Sequence, residues 1–138
     1  LIVCGGASQK HSAQGLTEAE VMAGYISRRL PPNIPVVLEK ESLTTQENLL
    51  FGCRHLPGYS PEDYQQVLFC DAIRALKVKI LASKIFPRYE TGIETYDKSS
   101  PAEANRQLIA TILEVLSLKF PILARWHHNQ RVKRAERI

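Results

Sequence analysis

A strand and a helix meet within residues 36–50, whose sequence is VVLEKESLTTQENLL. Three adjacent apolar, strand-favouring residues end at Glu39, and Leu49, Cys53 and Leu56 then follow at the three-to-four spacing of one helix face. This change of period predicts a short buried strand that runs through a polar turn into a helix. We expect any chemistry to lie at that turn.

The polar turn contains more polar residues than a helix start requires. Thr44 and Glu47 have the spacing of a capping box, in which the hydroxyl and the carboxylate satisfy free amides at a helix N-terminus. The remaining polar residues have no evident structural task, and they cluster where a helix start offers unpaired N–H groups and a partial positive charge. These candidate ligand contacts are Glu39, Ser42, Thr45 and Asn48.

Two earlier segments add to this candidate site. Gly5-Gly6 follows the apolar run of residues 1–4 and precedes a polar loop at residues 7–16. Glycine there permits a ligand to approach the backbone closely, although a plain tight turn explains it as well. Thr17 with Glu20 forms a second predicted capping box, so a helix is expected to begin at Thr17.

The order of the predicted elements indicates an α/β domain. Strands near 1–4, 35–39 and 66–70 alternate with helices near 17–30, 44–56 and 72–85, which favours a mostly parallel sheet covered on both faces. A weaker strand is expected at 92–96, a helix from Pro101 and a C-terminal helix or arm around Trp126. Ligands of such sheets bind beyond the carboxyl ends of the strands, where the three segments and Arg74 should meet.

Apolar spacing also predicts which helix faces are buried. The first helix should bury Val21, Met22, Tyr25, Ile26 and Leu30, and the helix from Pro101 should pack on the sheet through Leu108, Ile109, Ile112, Leu113 and Leu116.

Composition limits the class of protein. The 138 residues suit one domain, with 44% hydrophobic and 23% charged residues, and no segment reaches the roughly 20 apolar residues of a membrane span. Three cysteines without paired spacing favour reduced core thiols in the cytoplasm. The net charge of +4 lies largely in the basic end, which is more typical of a solvated helix face than of a nucleic-acid surface. The adjacent His127 and His128 point to different sides of a helix, so no metal site is predicted.

The pattern Glu39-x-x-Ser42-x-x-Thr45-x-Glu47-Asn48, with Gly5-Gly6 and Thr17-Glu18-Ala19-Glu20 before it, resembles the YdcF/SanA/ElyC-like family of bacterial proteins over most of the chain. The resemblance implies a Rossmann-like three-layer α/β/α fold with a mostly parallel sheet. It also implies an additional strand and helix before residue 1, with a membrane anchor there in some members. Its site residues would be Gly5, Gly6, Thr17, Glu18, Glu39, Ser42, Thr45, Glu47, Asn48 and Arg74. Arg74-Ala75 matches the arginine end of the family's third motif, whereas the histidine common before it is absent.

Three functions follow as expectations. The first is a cytoplasmic protein that binds a nucleotide-type or other anionic small molecule, with S-adenosylmethionine, implied by the resemblance, as the best single guess. The second is an enzyme that acts on a phosphorylated or lipid-linked cell-envelope precursor, with Glu18 or Glu47 as general base and Arg74 holding an anionic group. The third is a partner-binding protein that uses its basic end. Nothing in the sequence resembles a P-loop, a nucleophile elbow or a catalytic triad.

Overall fold

The computed structural model describes residues 1–7, 15–96 and 101–135, without the side chains of 101–108 and 134–135. Four strands alternate with α-helices along this part of the chain, and a fifth helix follows the fourth directly. They are β1 (Ile2–Cys4), α1 (Glu18–Ile26), β2 (Val37–Glu39), α2 (Thr45–Gly52), β3 (Gln66–Cys70), α3 (Ala75–Ile85), β4 (Thr91–Thr95), α4 (Pro101–Ser117) and α5 (Pro121–Ala135), with single 3-10 turns at Cys53–His55 and Ala72–Arg74.

The chain divides into two compact units. The first unit comprises residues 1–57 and 125–138, and the second comprises residues 58–124. A single domain over residues 1–138 stays a prediction.

The first unit is built on a parallel pair of short strands. Ile2 of β1 lies opposite Val37 of β2, and Cys4 lies opposite Glu39. Helices α1 and α2 both pack against this pair. Since parallel strands end on the same side, the helices that follow β1 and β2 begin at the carboxyl edge of the sheet.

The second unit contains the other parallel pair. Strands β3 and β4 pair in parallel from Gln66 opposite Thr91 to Cys70 opposite Thr95. Helix α3 packs against both strands. The buried core of this unit includes Val78, Leu81 and Ala82 of α3, together with Phe86, which follows the helix. Val67 and Phe69, which alternate with the inward residues of β3, are 43% and 67% exposed, so this face of the strand pair is not fully covered.

The structure confirms the α/β class and the parallel strands, while a three-layer Rossmann-like arrangement is not confirmed. Within the described residues the strands form two sheets of two strands each. All four predicted strands are present with bounds shifted by no more than two residues, and both predicted capping boxes are present at Thr17 and Thr44.

The predicted buried face of α4 is wrong. Ile109, Ile112 and Leu116 are 65%, 53% and 41% exposed, and Leu113 is also exposed, at 37%. The side chain of Leu108 lies outside the described residues. The helix instead buries a polar stripe of Thr111, Glu114 and Ser117.

An ion pair accounts for this orientation of α4. Glu114 Oε1 lies 3.1 Å from Lys77 Nζ on α3, and the two side chains are 0% and 3% exposed. A buried charge requires a partner of opposite sign, because isolating it from water costs several kcal/mol. Turning the apolar stripe of α4 inward would remove this partner from Lys77.

The predicted buried stripe of α1 is wrong, because none of its five residues is fully buried and Leu30 lies beyond the end of the helix. Met22 and Tyr25 are 38% and 63% exposed, whereas the small residues Ala19 and Ala23 are buried. Two alanines on one face allow α1 to approach the short strands closely, and the larger side chains then lie at the periphery.

Candidate functional site

Backbone hydrogen bonds join three segments at the carboxyl edge of the first unit. Gly5 N donates to Glu39 O at 3.0 Å, Gly6 N donates to Ser42 O at 2.7 Å, and Glu18 N donates to Gly6 O at 3.1 Å. The Gly5-Gly6 segment therefore lies between the start of α1 and the turn that follows β2. The predicted convergence of these three segments is observed within one unit.

The two glycines allow the protein's own backbone to approach closely. Gly5 has φ of +147°, and a Cβ on it would lie 2.8 Å from the Cβ of Glu18. A Cβ on Gly6 would lie 2.8 Å from Ser42 O and 2.9 Å from Lys40 O. Both glycines thus have a packing role, and their contact with a ligand stays a prediction.

Glu39 has a structural task that the sequence did not reveal. Its side chain is buried, with 5% of the residue exposed. Oε1 accepts hydrogen bonds from Glu41 N at 2.7 Å and Ser42 N at 3.1 Å, and Oε2 accepts one from Ser42 Oγ. The carboxylate of Glu39 and the hydroxyl of Ser42 therefore hold the β2–α2 turn in its shape.

The N-terminus of α1 is capped by the side chains of Thr17 and Glu20. The carboxylate of Glu20 accepts from the amide and the hydroxyl of Thr17, both at 2.8 Å, and Thr17 Oγ1 accepts from Glu20 N at 3.2 Å. Lys40 Nζ lies 3.2 Å from the other oxygen of Glu20. The hydrogen bonds from Thr17, followed by the one from Lys40, lower the pKa of Glu20 to about 2. Glu18, in the first turn of this helix, is partly buried.

The N-terminus of α2 is capped in the same way by Thr44 and Glu47, and Glu47 also contacts a histidine. Glu47 Oε2 accepts from Leu43 N at 2.8 Å and Thr44 N at 3.1 Å, while Thr44 Oγ1 accepts from Glu47 N at 3.1 Å. The second carboxylate oxygen, Oε1, lies 2.6 Å from Nδ1 of His128 on α5.

His128 is the residue that sequence reasoning missed. In the sequence it stands out only as the neighbour of His127, and no spacing signal connects it with Glu47, 81 positions away. Among the described residues, no group of three or more metal-type side chains is present.

Thr45 and Asn48 are the polar groups of this edge that remain available. They are spaced three apart in α2 and hence share a helix face, and both are partly buried. In the described part of the chain, neither side chain has a hydrogen-bond partner. A threonine hydroxyl and an asparagine amide together offer donors and acceptors without a net charge.

Arg74 belongs to the second unit. Its backbone N donates to Asp71 Oδ1 at 3.1 Å, and its Nε lies 3.3 Å from Asp71 Oδ2. Asp71 caps the 3-10 turn that precedes α3. A role for Arg74 beside the residues of the first unit stays a prediction.

The thiols have the properties of core cysteines. Burial, and secondarily the carboxylate of Glu39, raises the pKa of Cys4 to about 12. Burial also raises the pKa of Cys70. A high pKa leaves little thiolate at neutral pH, which disfavours a nucleophilic role for these two residues.

The second unit has a cavity of about 280 Å³ at the amino end of β4. Its polar lining is largely engaged within the protein, since the hydroxyl of Tyr89 donates to Tyr59 O at 2.9 Å and that of Ser83 donates to Ile80 O at 2.9 Å. It therefore offers fewer open polar groups than the carboxyl edge of the first unit.

No protein-family model matches this sequence, and no curated protein or solved structure matches it at a significant level. In the part of the chain that the structure describes, no helix is sufficiently long and apolar to cross a membrane.

Proposed function

We propose that this protein binds a small, hydroxyl-rich molecule of the nucleoside type at the carboxyl edge of the β1–β2 pair, with S-adenosylmethionine as the best single candidate. The observation that carries the proposal is the junction of three segments through Gly6, which accepts from Glu18 N and donates to Ser42 O. The open polar side chains of Thr45 and Asn48 lie in the first turn of the helix that follows this junction.

The charges at this edge favour the nucleoside part of a ligand over a phosphate. A phosphate at a helix N-terminus needs free amides and the positive end of the helix dipole. Just before α2 the carboxylate of Glu47 accepts from the amides of Leu43 and Thr44, and at the start of α1 the carboxylate of Glu20 accepts from the amide of Thr17. An added phosphate would meet these negative charges, whereas a ribose hydroxyl or an adenine amino group would not.

The resemblance of residues 39–48 to the YdcF-like family supports the choice of S-adenosylmethionine. This compound joins an adenosine to a sulfonium and an amino acid and has no phosphate, so it would not bring a phosphate next to the carboxylates of Glu20 and Glu47. A Rossmann-like three-layer arrangement and a cytoplasmic location are part of the same proposal.

A thermal-shift screen tests the proposal. The wild-type protein is melted with adenosine, S-adenosylmethionine, S-adenosylhomocysteine, nucleotides and a polyprenyl phosphate. A ligand that binds only the folded state stabilises it by about 2.7 kcal/mol at one hundred times its dissociation constant, which raises the melting temperature. We expect a shift with the adenosyl compounds.

Two asparagine variants locate the binding. Asn48→Ala should reduce the shift, because it removes the amide that is open in the first turn of α2. Asn33→Ala is the matched control, since Asn33 is exposed in the loop before β2. If no compound shifts the wild-type protein, or if Asn48→Ala retains the full shift as Asn33→Ala does, the proposed binding at this edge is wrong.

The alternative function is an enzyme that acts on a phosphorylated or lipid-linked cell-envelope precursor. The contact between Glu47 and His128 favours this alternative, because a carboxylate that orients an imidazole is a common arrangement for proton transfer. In this case Glu18→Gln or Glu47→Gln should abolish turnover. A melting-temperature shift with the polyprenyl phosphate alone would favour the enzyme over the nucleoside-binding protein.

A further inference from the structure

The imidazole of His128 has a fixed partner on one side. Its Nδ1 lies 2.6 Å from Glu47 Oε1, and the other oxygen of Glu47 accepts from two backbone amides of the β2–α2 turn. Because three donors hold the carboxylate, it cannot rotate without losing hydrogen bonds. The ring of His128 is therefore oriented by a rigid group.

This contact also assigns the tautomer of the ring. An ionised carboxylate only accepts hydrogen bonds, so Nδ1 of His128 must carry a hydrogen. In the neutral ring the second nitrogen, Nε2, is then an acceptor. In the described residues Nε2 has no hydrogen-bond partner, and the side chain of His128 is 39% exposed.

A purely stabilising role would account for little of this arrangement. The contact is part-buried, and one hydrogen bond typically contributes only about 0.5–1.5 kcal/mol to folding. The position of His128 points to a role in the candidate site, because its partner Glu47 lies in the same turn of α2 as Thr45 and Asn48.

We propose that His128 is a ligand-binding residue of this edge, that Glu47 is its positioning residue, and that Nε2 forms a hydrogen bond with a hydroxyl of the ligand. This inference rests on the proposed function and deepens it, since it requires a ligand with a hydroxyl group, such as the ribose of an adenosyl compound. Glu47 then acts through His128 and has no direct contact with the ligand.

Two variants of His128 separate the two ring nitrogens. In His128→Asn the side-chain amide lies near the former position of Nδ1, so the bond to Glu47 is retained and the group at Nε2 is lost. In His128→Gln the amide lies near the former position of Nε2, where its oxygen can replace the acceptor. The matched control is His55→Asn, because His55 is exposed in the 3-10 turn after α2.

Isothermal titration with adenosine and with S-adenosylmethionine measures the effect. We expect His128→Asn to weaken binding about three- to tenfold, the equivalent of one neutral hydrogen bond, with an unchanged melting temperature. His128→Gln should retain more of the affinity, and His55→Asn all of it. Wild-type affinity in His128→Asn would overturn the role of His128 while the proposed function stands; absence of binding to the wild-type protein would overturn both.

A spectroscopic test on the wild-type protein does not depend on the folding of a variant. Long-range proton–nitrogen spectra of the histidine rings should show His128 with its hydrogen on Nδ1, and the Nε2 resonance should move on addition of S-adenosylmethionine. An Nε2 resonance that stays in place at saturating ligand would overturn the inference.

Discussion

Replacing Gly6 with alanine tests the junction on which the candidate site is built. The new Cβ would lie 2.8 Å from Ser42 O, 2.9 Å from Lys40 O and 3.2 Å from Leu43 Cδ2. The first two atoms belong to the backbone of the β2–α2 turn and cannot rotate away. The strand end and the turn must therefore separate, which breaks the 2.7 Å hydrogen bond from Gly6 N to Ser42 O.

The expected loss of stability follows from these contacts. Overpacking costs about 1–3 kcal/mol, and a lost backbone hydrogen bond adds about 0.5–1.5 kcal/mol. Alanine also restricts the unfolded chain, which offsets about 0.4–1 kcal/mol. Gly6→Ala should thus lower the free energy of unfolding by about 0.5–4 kcal/mol.

Urea denaturation followed by circular dichroism measures this change, with Gly24→Ala as the matched control. Gly24 is exposed in the interior of α1, and a Cβ there would have no atom within 4 Å. The control should gain about 0.5–1 kcal/mol, because alanine is the better helix former. If Gly6→Ala is as stable as the wild-type protein or gains stability as the control does, the close packing of the three segments is wrong.

Three further predictions address the two units separately. Glu114→Gln removes the carboxylate that faces the buried ammonium of Lys77, so urea denaturation should show a free energy of unfolding lower by about 3–5 kcal/mol. The double variant Lys77→Met, Glu114→Leu should recover most of this loss. Wild-type stability in Glu114→Gln would contradict the buried pair. The Glu20 carboxyl has a pKa lowered from 4.5 to about 2, so the stability it contributes is present above pH 4.5 and is lost as the pH falls toward 2. Glu20→Gln should accordingly flatten the acid decline of the melting temperature in this window, and an unchanged decline would refute the assignment. Because the pKa of Cys4 is raised to about 12, its alkylation by iodoacetamide at pH 8 should be about 100- to 1000-fold slower in the native protein than in urea. Peptide mass spectrometry measures both rates, and equal rates would contradict the raised pKa.

Local features of the fold were predictable because their causes are local in sequence. Thr44 with Glu47 and Thr17 with Glu20 are three residues apart, and both capping boxes are present as predicted. The apolar run that ends at Glu39 forms a strand for the same reason, since its neighbours alone determine it.

Features that depend on distant pairs were not predictable. The buried face of α4 depends on Glu114 and Lys77, which are 37 residues apart, and apolar periodicity alone therefore gave the wrong face. The contact of Glu47 with His128 joins residues 81 apart, so no motif could reveal it.

Some features of the candidate site were predictable from the sequence, and others were not. The segments at Gly6, Glu18 and Ser42 meet as parallel-strand topology predicts. The task of Glu39, by contrast, could not be predicted, because its carboxylate folds back onto its own turn and this depends on the turn's exact geometry.

Mapping of amide chemical shifts is the most direct test of the central claim, that a nucleoside-type ligand binds at the carboxyl edge of the first unit. Proton–nitrogen spectra of the labelled protein would be recorded during a titration with S-adenosylmethionine. The account predicts that the largest shifts fall on the amides of Gly6, Thr45 and Asn48. Shifts confined to residues 58–124, or no shifts at millimolar ligand, would contradict it.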